Sequence, residues 1–532
     1  MRDAVIIGAG VTGIYMAHRL LEQGKDITVL EAGEDLGGTW YWNRYPGARF
    51  DSESFSYGYS FDRDIVEEWN WSEHFAGQPE TLRYLNFVAE KLGVRRVMQF
   101  NATVKSAHFD EVQSCWHVEM EDGRRESARF LLCALGVLSA ATLPRIEGRD
   151  TFEGEAFHTY YWPKDREVEL AGKRVAVIGT GATGVQTISE VANLAGSLTV
   201  FQRRPNWCAP LRNSPVTDEL QAQHKASYDD MLAKMDATFG SFVHDLNPKS
   251  FHEVSKDERE EYWNWLYEQP GFGVWLSNYA EVYLDPEVNK VYSEFIASKI
   301  RERVKDPETA EKLIPKDHGF GIQRVPLETR YYEAYNLPTT RLVDAAATPI
   351  ECITSKGIKT SEEEFEFDLI IYATGFDSFT GSYDRIDIQG TDGAKLKDKW
   401  EEGPITYLGV QVANFPNMFM LAGPQSASAA ANFPPSIQAV VEWTTALITH
   451  MDSQNLTYIG TEPDAEAEWT QSIKDGYEGS LLAGARSWFT GYNSNVDGHD
   501  KIRHMMFLGG APAYRERLGD VAAKGYEGFE LK

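Results

Sequence analysis

Six short runs along the chain are apolar at nearly every position: Asp3-Ala-Val-Ile-Ile, Ile27-Thr-Val-Leu, Phe130-Leu-Leu-Cys-Ala-Leu, Arg174-Val-Ala-Val-Ile, Leu198-Thr-Val-Phe and Asp368-Leu-Ile-Ile-Tyr. Such short continuous apolar runs predict strands buried on both faces, as in a parallel sheet with helices on each side. Elsewhere the period changes: Val11 to Leu21, Asp257 to Glu268, Glu287 to Val304 and Pro435 to Met451 carry apolar residues at helical spacing. Further strands are expected at Thr340 to Val343 and in Asn417-Met-Phe-Met-Leu. Strands alternating with helices predict an α/β fold.

Two of the strands run into the same glycine spacing, G-x-G-x-x-G, formed by Gly8, Gly10 and Gly13 and again by Gly179, Gly181 and Gly184. In this pattern one glycine makes a tight turn, the next lets backbone approach a pyrophosphate, and the third lets the helix pack closely on its strand. The phosphates then sit at the helix N-terminus. Two Rossmann-like dinucleotide-binding domains are therefore expected. The first unit ends its second strand in Glu31, 23 residues after Gly8, where a carboxylate accepts hydrogen bonds from a ribose. The plainer alternative is a solvated Glu. The same offset in the second unit lands on Gln202, followed by Arg203 and Arg204. Two guanidiniums in place of an acid suit the 2'-phosphate of NADPH, the alternative being an exposed basic turn.

These motifs divide the chain. Residues 1–145 and 381–532 are assigned to the first dinucleotide domain, and 152–212 and 319–380 to the second. Between the two parts of the second lies 213–318, rich in Glu, Lys, Trp and Tyr, which reads as a helical insertion. The 532 residues are 42% hydrophobic and 12% aromatic, enough for several cores and unlike a disordered chain. A balance of 52 basic against 80 acidic residues, net charge -28, argues against nucleic acid or an anionic membrane as partner. Met1 leads within two residues into a strand, with no signal peptide or membrane-spanning run, so the cytosol is expected. Cys115, Cys133, Cys208 and Cys352 show no C-x-x-C or metal-like spacing. No metal is expected, and a dithiol reductase is excluded.

Between the fingerprints stand Phe152, Gly154, His158, Trp162 and Pro163, spaced F-x-G-x-x-x-H-x-x-x-W-P. Gly37-Gly-Thr-Trp-Tyr-Trp-Asn-Arg-Tyr-Pro-Gly-Ala-Arg-Phe-Asp51 follows the first fingerprint, and Arg324 precedes Tyr331-Tyr332 by seven residues. With Ala373-Thr-Gly375 and with Trp488 in Ser-Trp-Phe-Thr-Gly-Tyr-Asn, the whole chain resembles the type I flavin-dependent Baeyer-Villiger monooxygenases. The resemblance implies FAD in the first domain, NADPH in the second, and conversion of a small-molecule ketone and O2 to an ester or lactone through a C4a-peroxyflavin. It casts Arg324 as the cation beside the peroxide and Asp51 as the carboxylate that orients it. Gly38, Thr39 and Trp40 fall in its flavin-facing segment, and Trp488 becomes either core packing or, in a mobile loop, a cofactor and substrate wall. The F-x-G-x-x-x-H-x-x-x-W-P stretch becomes a connector, with Gly154 flexible, Trp162-Pro163 rigid and His158 a hydrogen-bonded hinge. Two positions depart from the family: Gln323 stands where lysine is common, and Arg204 where threonine is common. Arg204 is expected to restore the cation lost at Gln323.

Small side chains in residues 423–435 leave room near the flavin and favour bulky cyclic or aryl ketones. The oligomeric state stays open, a monomer being compatible with everything above. Three other readings also stay open. An N- or S-oxygenating flavin monooxygenase carries a related signature ending in Tyr or Phe, where this chain has Trp162-Pro163. The others are an NADPH oxidase that releases hydrogen peroxide and a dinucleotide-binding redox sensor without turnover.

Overall fold

The computed structural model describes residues 1–427 and 431–532. Two sheets organise it. In the first, Arg2–Ile7 lies between Ile27–Leu30 and Arg125–Cys133, parallel to both, and Met98–Gln99 continues the sheet beyond Ile27–Leu30. Arg125–Cys133 is long enough to take two neighbours on its other side. Its first half pairs antiparallel with Cys115–Met120, and its second half pairs parallel with Met418–Met420, which returns from late in the chain. The helices Val11–Glu22 and Phe433–Ser453 pack together over this sheet, where Tyr15 donates to Glu442 at 2.8 Å.

The second sheet is wholly parallel, in the order Thr340–Asp344, Ser197–Gln202, Arg174–Ile178, Leu369–Tyr372, Glu155–His158. Arg174–Ile178 and Leu369–Tyr372 are buried along almost their full length, as their unbroken apolar runs require. Between Gln202 and Thr340 the chain is mainly helical, including Asp218–Ala226, Tyr228–Ala237, Lys256–Glu268, Pro286–Arg303 and Pro307–Leu313. Local chemistry sets their starts: Ser255 and Glu258 form a reciprocal capping box, and Asp285 caps a helix whose first residue is Pro286. Trp263, Tyr292 and Ile296 of this region share one apolar cluster with Val175, Val177 and Leu369 of the second sheet. Among the described residues no helix is long and apolar enough to cross a membrane.

One expectation needs correction. The stretch from Phe152 to Pro163 is not only a connector: Glu155–His158 is the edge strand of the second sheet, in register with Leu369–Tyr372. Gly154 serves contact rather than flexibility. A Cβ there would lie 2.5 Å from the Phe152 ring and 2.8 Å from the carbonyl oxygen of Asp368. Trp162 is buried against Phe157, their ring centroids 5.7 Å apart. Cys115, Cys133 and Cys208 are buried thiols, Cys133 pushed up to about 12 by burial, and Cys352 is half-buried.

Candidate active site

Both fingerprints open onto one cavity of about 1300 Å³, above the roughly 300–1,000 Å³ of a typical single-ligand pocket. Their local construction is nearly the same. Gly8 sits at φ +105°, where a Cβ would lie 2.4 Å from the Ala134 carbonyl oxygen; Gly179 sits at φ +110°, with Ala373 in the same relation at 2.4 Å. A side chain on Gly13 would meet the Gly8 carbonyl oxygen at 1.9 Å, and one on Gly184 would meet that of Gly179 at 2.3 Å. The helices Val11–Glu22 and Ala182–Leu194 begin at Gly10 and Gly181 without a side-chain cap. Their first amides are thus free for an anion at the positive end of the helix dipole. These cradles fit two dinucleotides.

In the first unit Glu31 is 4% exposed. It accepts the Ala9 and Gly33 amides at 2.8 Å each, and burial raises its pKa although both hydrogen bonds oppose the rise. Gly38, at φ +52°, brings the short helix Thr39–Trp42 so close to Gly10 that a Cβ would lie 2.8 Å from the Gly10 Cα. The Trp40 indole donates to Tyr57 at 3.1 Å. In the second unit Gln202 is buried and donates to the Lys312 carbonyl at 2.7 Å, turned into the helical region. Arg203 and Arg204 line the cavity. They are not equivalent: among the described residues Arg203 donates only to the Ser494 hydroxyl, at 3.1 Å, whereas Arg204 is held by the Asp317 carboxylate. Part of the charge expected of Arg204 is therefore already engaged. Gln323 does not line the cavity, and its amide nitrogen is buried without a partner among the described residues.

Arg324 and Asp51 meet between the two units, Nη1 3.0 Å from Oδ2. The guanidinium is 29% exposed while Asp51 is 1% exposed, so the cation faces the cavity with the carboxylate buried beneath it. Burial raises the Asp51 pKa, and the Arg324 charge and the Leu327 amide oppose the rise. Gln186, on the helix of the second fingerprint, donates to the Arg49 carbonyl at 3.0 Å and to Asp51 at 3.4 Å, tying the two units together at this point. The Phe272 ring lies 5.8 Å from the Arg324 guanidinium. Trp488 lines the same cavity, stacked on Phe379 with centroids 6.2 Å apart. It starts a short helical turn capped by Ser487, which Arg503 braces by donating to the Gly491 carbonyl at 2.8 Å. The mobile loop expected here is a capped, braced turn.

His158 stands apart from these groups and does not line the cavity. Its Nδ1 accepts the Tyr160 amide at 3.1 Å, which leaves Nε2 to carry the proton donated to the Gly375 carbonyl at 3.2 Å. Burial lowers its pKa to about 4, so it is neutral near pH 7, locking the signature strand to the Ala373-Thr-Gly375 turn. Of the segment expected to line the pocket, Ala431, Asn432 and Phe433 do so, and residues 428–430 lie outside the described residues. The sequence reading missed Gln186, Asp317 and Phe272.

The fold and the paired cradles define a flavoprotein-type oxidoreductase with two dinucleotide sites. A family model described as pyridine nucleotide-disulphide oxidoreductase matches residues 2–248. The 2-oxo-Delta(3)-4,5,5-trimethylcyclopentenylacetyl-CoA monooxygenase of Pseudomonas putida is 46% identical over 99% of this chain and 98% of its own. A phenazine N-monooxygenase of Lysobacter antibioticus is 40% identical over 99% and 97%. The crystal structure of the OTEMO complex with FAD and NADP superposes with a TM-score of 0.96 at 46% identity, covering 100% of this chain and 99% of that one. With acetone, cyclopentanone and cyclohexanone monooxygenases also among full-length relatives, the chain belongs to the Baeyer-Villiger monooxygenases.

Proposed function

We propose that this enzyme inserts one oxygen atom from O2 beside the carbonyl of a small-molecule ketone, giving an ester or lactone, with FAD on the first fingerprint and NADPH on the second. The observation that carries the reading is the Arg324–Asp51 pair set between both cradles in one cavity. FAD and NADPH, when bound, would supply the reducing equivalents and the activated oxygen. Gly8, Gly10, Gly13, Glu31, Gly38, Thr39 and Trp40 hold FAD. Gly179, Gly181, Gly184 and Arg203 hold NADPH, with Arg204 a weaker contributor because Asp317 shares its charge. Gln323 adds no charge there.

Arg324 presents N–H donors to oxygen atoms that become anionic during attack on the ketone carbonyl. Asp51 fixes the plane of the guanidinium from below. Phe272 and Trp488 form apolar walls that exclude water and strengthen that interaction. Cyclic and aryl ketones are the substrate class the cavity favours, and the cytosol is the compartment. Replacing Arg324 with Ala should lower ester formation by about a hundredfold or more while NADPH still bleaches the flavin. Ester at the normal yield removes the assignment. N-oxygenation of an aromatic heterocycle is the second reading, favoured by the phenazine-oxygenating relative. Product masses from parallel ketone and N-heteroaromatic panels separate the two.

A further inference from the structure

Two residues beyond Asp51, Glu53 is 7% exposed, and its Oε1 lies 2.6 Å from Nε2 of His244, in the helical insertion 191 residues away. The other oxygen, Oε2, is buried without a partner from any other described residue. Gly271 closes over the pair. It sits at φ +74°, and a Cβ there would lie 2.5 Å from Glu53 Oε1 and 3.2 Å from His244 Nε2. Only glycine lets backbone come this close, so the dyad is sealed on that side.

A buried carboxylate with an orphan oxygen requires a counter-charge. His74 and His224 are the other titratable groups around it, and burial lowers the pKa of both. Burial would raise Glu53, but the charge and the hydrogen bond of His244, with smaller contributions from the Glu53 backbone and His74, together hold the carboxyl below its usual range. His244 is the ion-pair partner of Glu53, its Nε2 2.6 Å from Oε1. It lines the cavity, its side chain is 15% exposed, and its Nδ1 makes no hydrogen bond to a described residue. The wall around it, with Phe242, Leu246, Phe272 and Trp275, is apolar. A single donor on such a wall fixes the orientation of a ligand.

We propose that His244 is a specificity residue whose Nδ1–H donates to an acceptor oxygen, a carboxylate or an acyl carbonyl, on a side chain of the ketone, with Glu53 as the ion-pair partner that positions it. The ring of Phe272 lies against the Arg324 guanidinium, while Gly271 and Gly273 on either side contact the dyad. This rests on the ketone-oxygenating reading above.

The test uses the FAD-loaded enzyme with cyclopentanone, (2-oxocyclopentyl)acetate and the N-acetylcysteamine thioester of that acid, comparing kcat/KM. The wild type should prefer a ketone bearing the acceptor. His244→Phe should lower the ratio of acceptor-bearing to parent ketone about ten- to a hundredfold, mainly through KM, the range for one charged hydrogen bond. His244→Gln, which keeps an amide donor, should recover part of it, and Glu53→Gln should lie between. Whichever of acid and thioester loses more identifies the acceptor. A merely structural dyad would lower all three ketones, or the flavin content, in parallel, and that result overturns the proposal. So does a wild type without preference. Ester from none of the three ketones, with N-oxide from a heteroaromatic, overturns the ketone reading itself.

Discussion

The two glycine fingerprints repeat each other almost atom for atom and then end in opposite chemistry. In both, the leading glycine sits left-handed over an alanine carbonyl and the last packs on the first. Past the second strand they diverge. The first unit ends in a buried carboxylate that holds two of its own backbone amides; the second ends in a glutamine turned away from the cavity and two arginines turned toward it. The glycine cradle is generic to a pyrophosphate, and the residue after the second strand chooses the nucleotide.

That division of labour is tested hardest at the shared part. Gly13→Ala and Gly184→Ala each put a methyl group within 2.3 Å of a carbonyl oxygen. Overpacking of this kind costs about 1–3 kcal/mol, roughly five- to a hundredfold in affinity. Gly13→Ala should purify with little flavin. Gly184→Ala should keep its flavin and lose NADPH, read as a raised KM at unchanged flavin content. Equal flavin loss in both would mean that the cradles are not independent.

The divergent part gives a smaller, more selective effect. Among the described residues Arg203 has no carboxylate partner, and a charged hydrogen bond to a 2'-phosphate is worth about 1.5–3 kcal/mol. Arg203→Ala should therefore lower the preference for NADPH over NADH by about tenfold or more. Arg204→Ala should lower it less, and Asp317→Asn, by releasing Arg204, should raise it. Steady-state kinetics with both coenzymes decide this, and an Arg204 effect larger than that of Arg203 would invert the assignment.

How far the sequence shows these features follows from how local they are. The strands, the two glycine turns and Glu31 depend on neighbours within one supersecondary unit, and periodicity exposes them. The pairing of Arg204 with Asp317, 113 residues away, and of Glu53 with His244 depends on how the insertion docks, which no local pattern encodes. Arg324 and Asp51 were nameable only because a family motif carries them; their burial asymmetry was not. Gly154 shows the opposite failure. Glycine in a segment between two domains suggests flexibility, yet the residue is small because Phe152 and the Asp368 carbonyl occupy the space.

The smallest expected effect concerns Glu31 and returns to the contrast between the two units. Its folded pKa is raised by burial, so ionising it is harder in the folded protein than in the unfolded chain. A raised folded pKa contributes stability that is fully present below the unfolded value and is lost as pH rises through the folded value. The apoprotein should therefore lose some stability as pH climbs through and above the ordinary carboxylate range, and Glu31→Gln should flatten that part of the profile. The slope is the readout rather than the absolute midpoint, because the amide presents only one acceptor to the Ala9 and Gly33 N–H groups and gives up a hydrogen bond while it removes a buried charge. One kilocalorie moves the midpoint by only about 1 °C in a protein of this size, so the melts must be closely spaced in pH. Flavin retention after dilution, measured on the same variant, should fall, since the ribose also loses its carboxylate. An unchanged slope with reduced retention would place the raised pKa elsewhere and leave Glu31 as a ligand only. The second unit offers no counterpart: with Gln202 at the matching position, it meets the same turn without a titrating group.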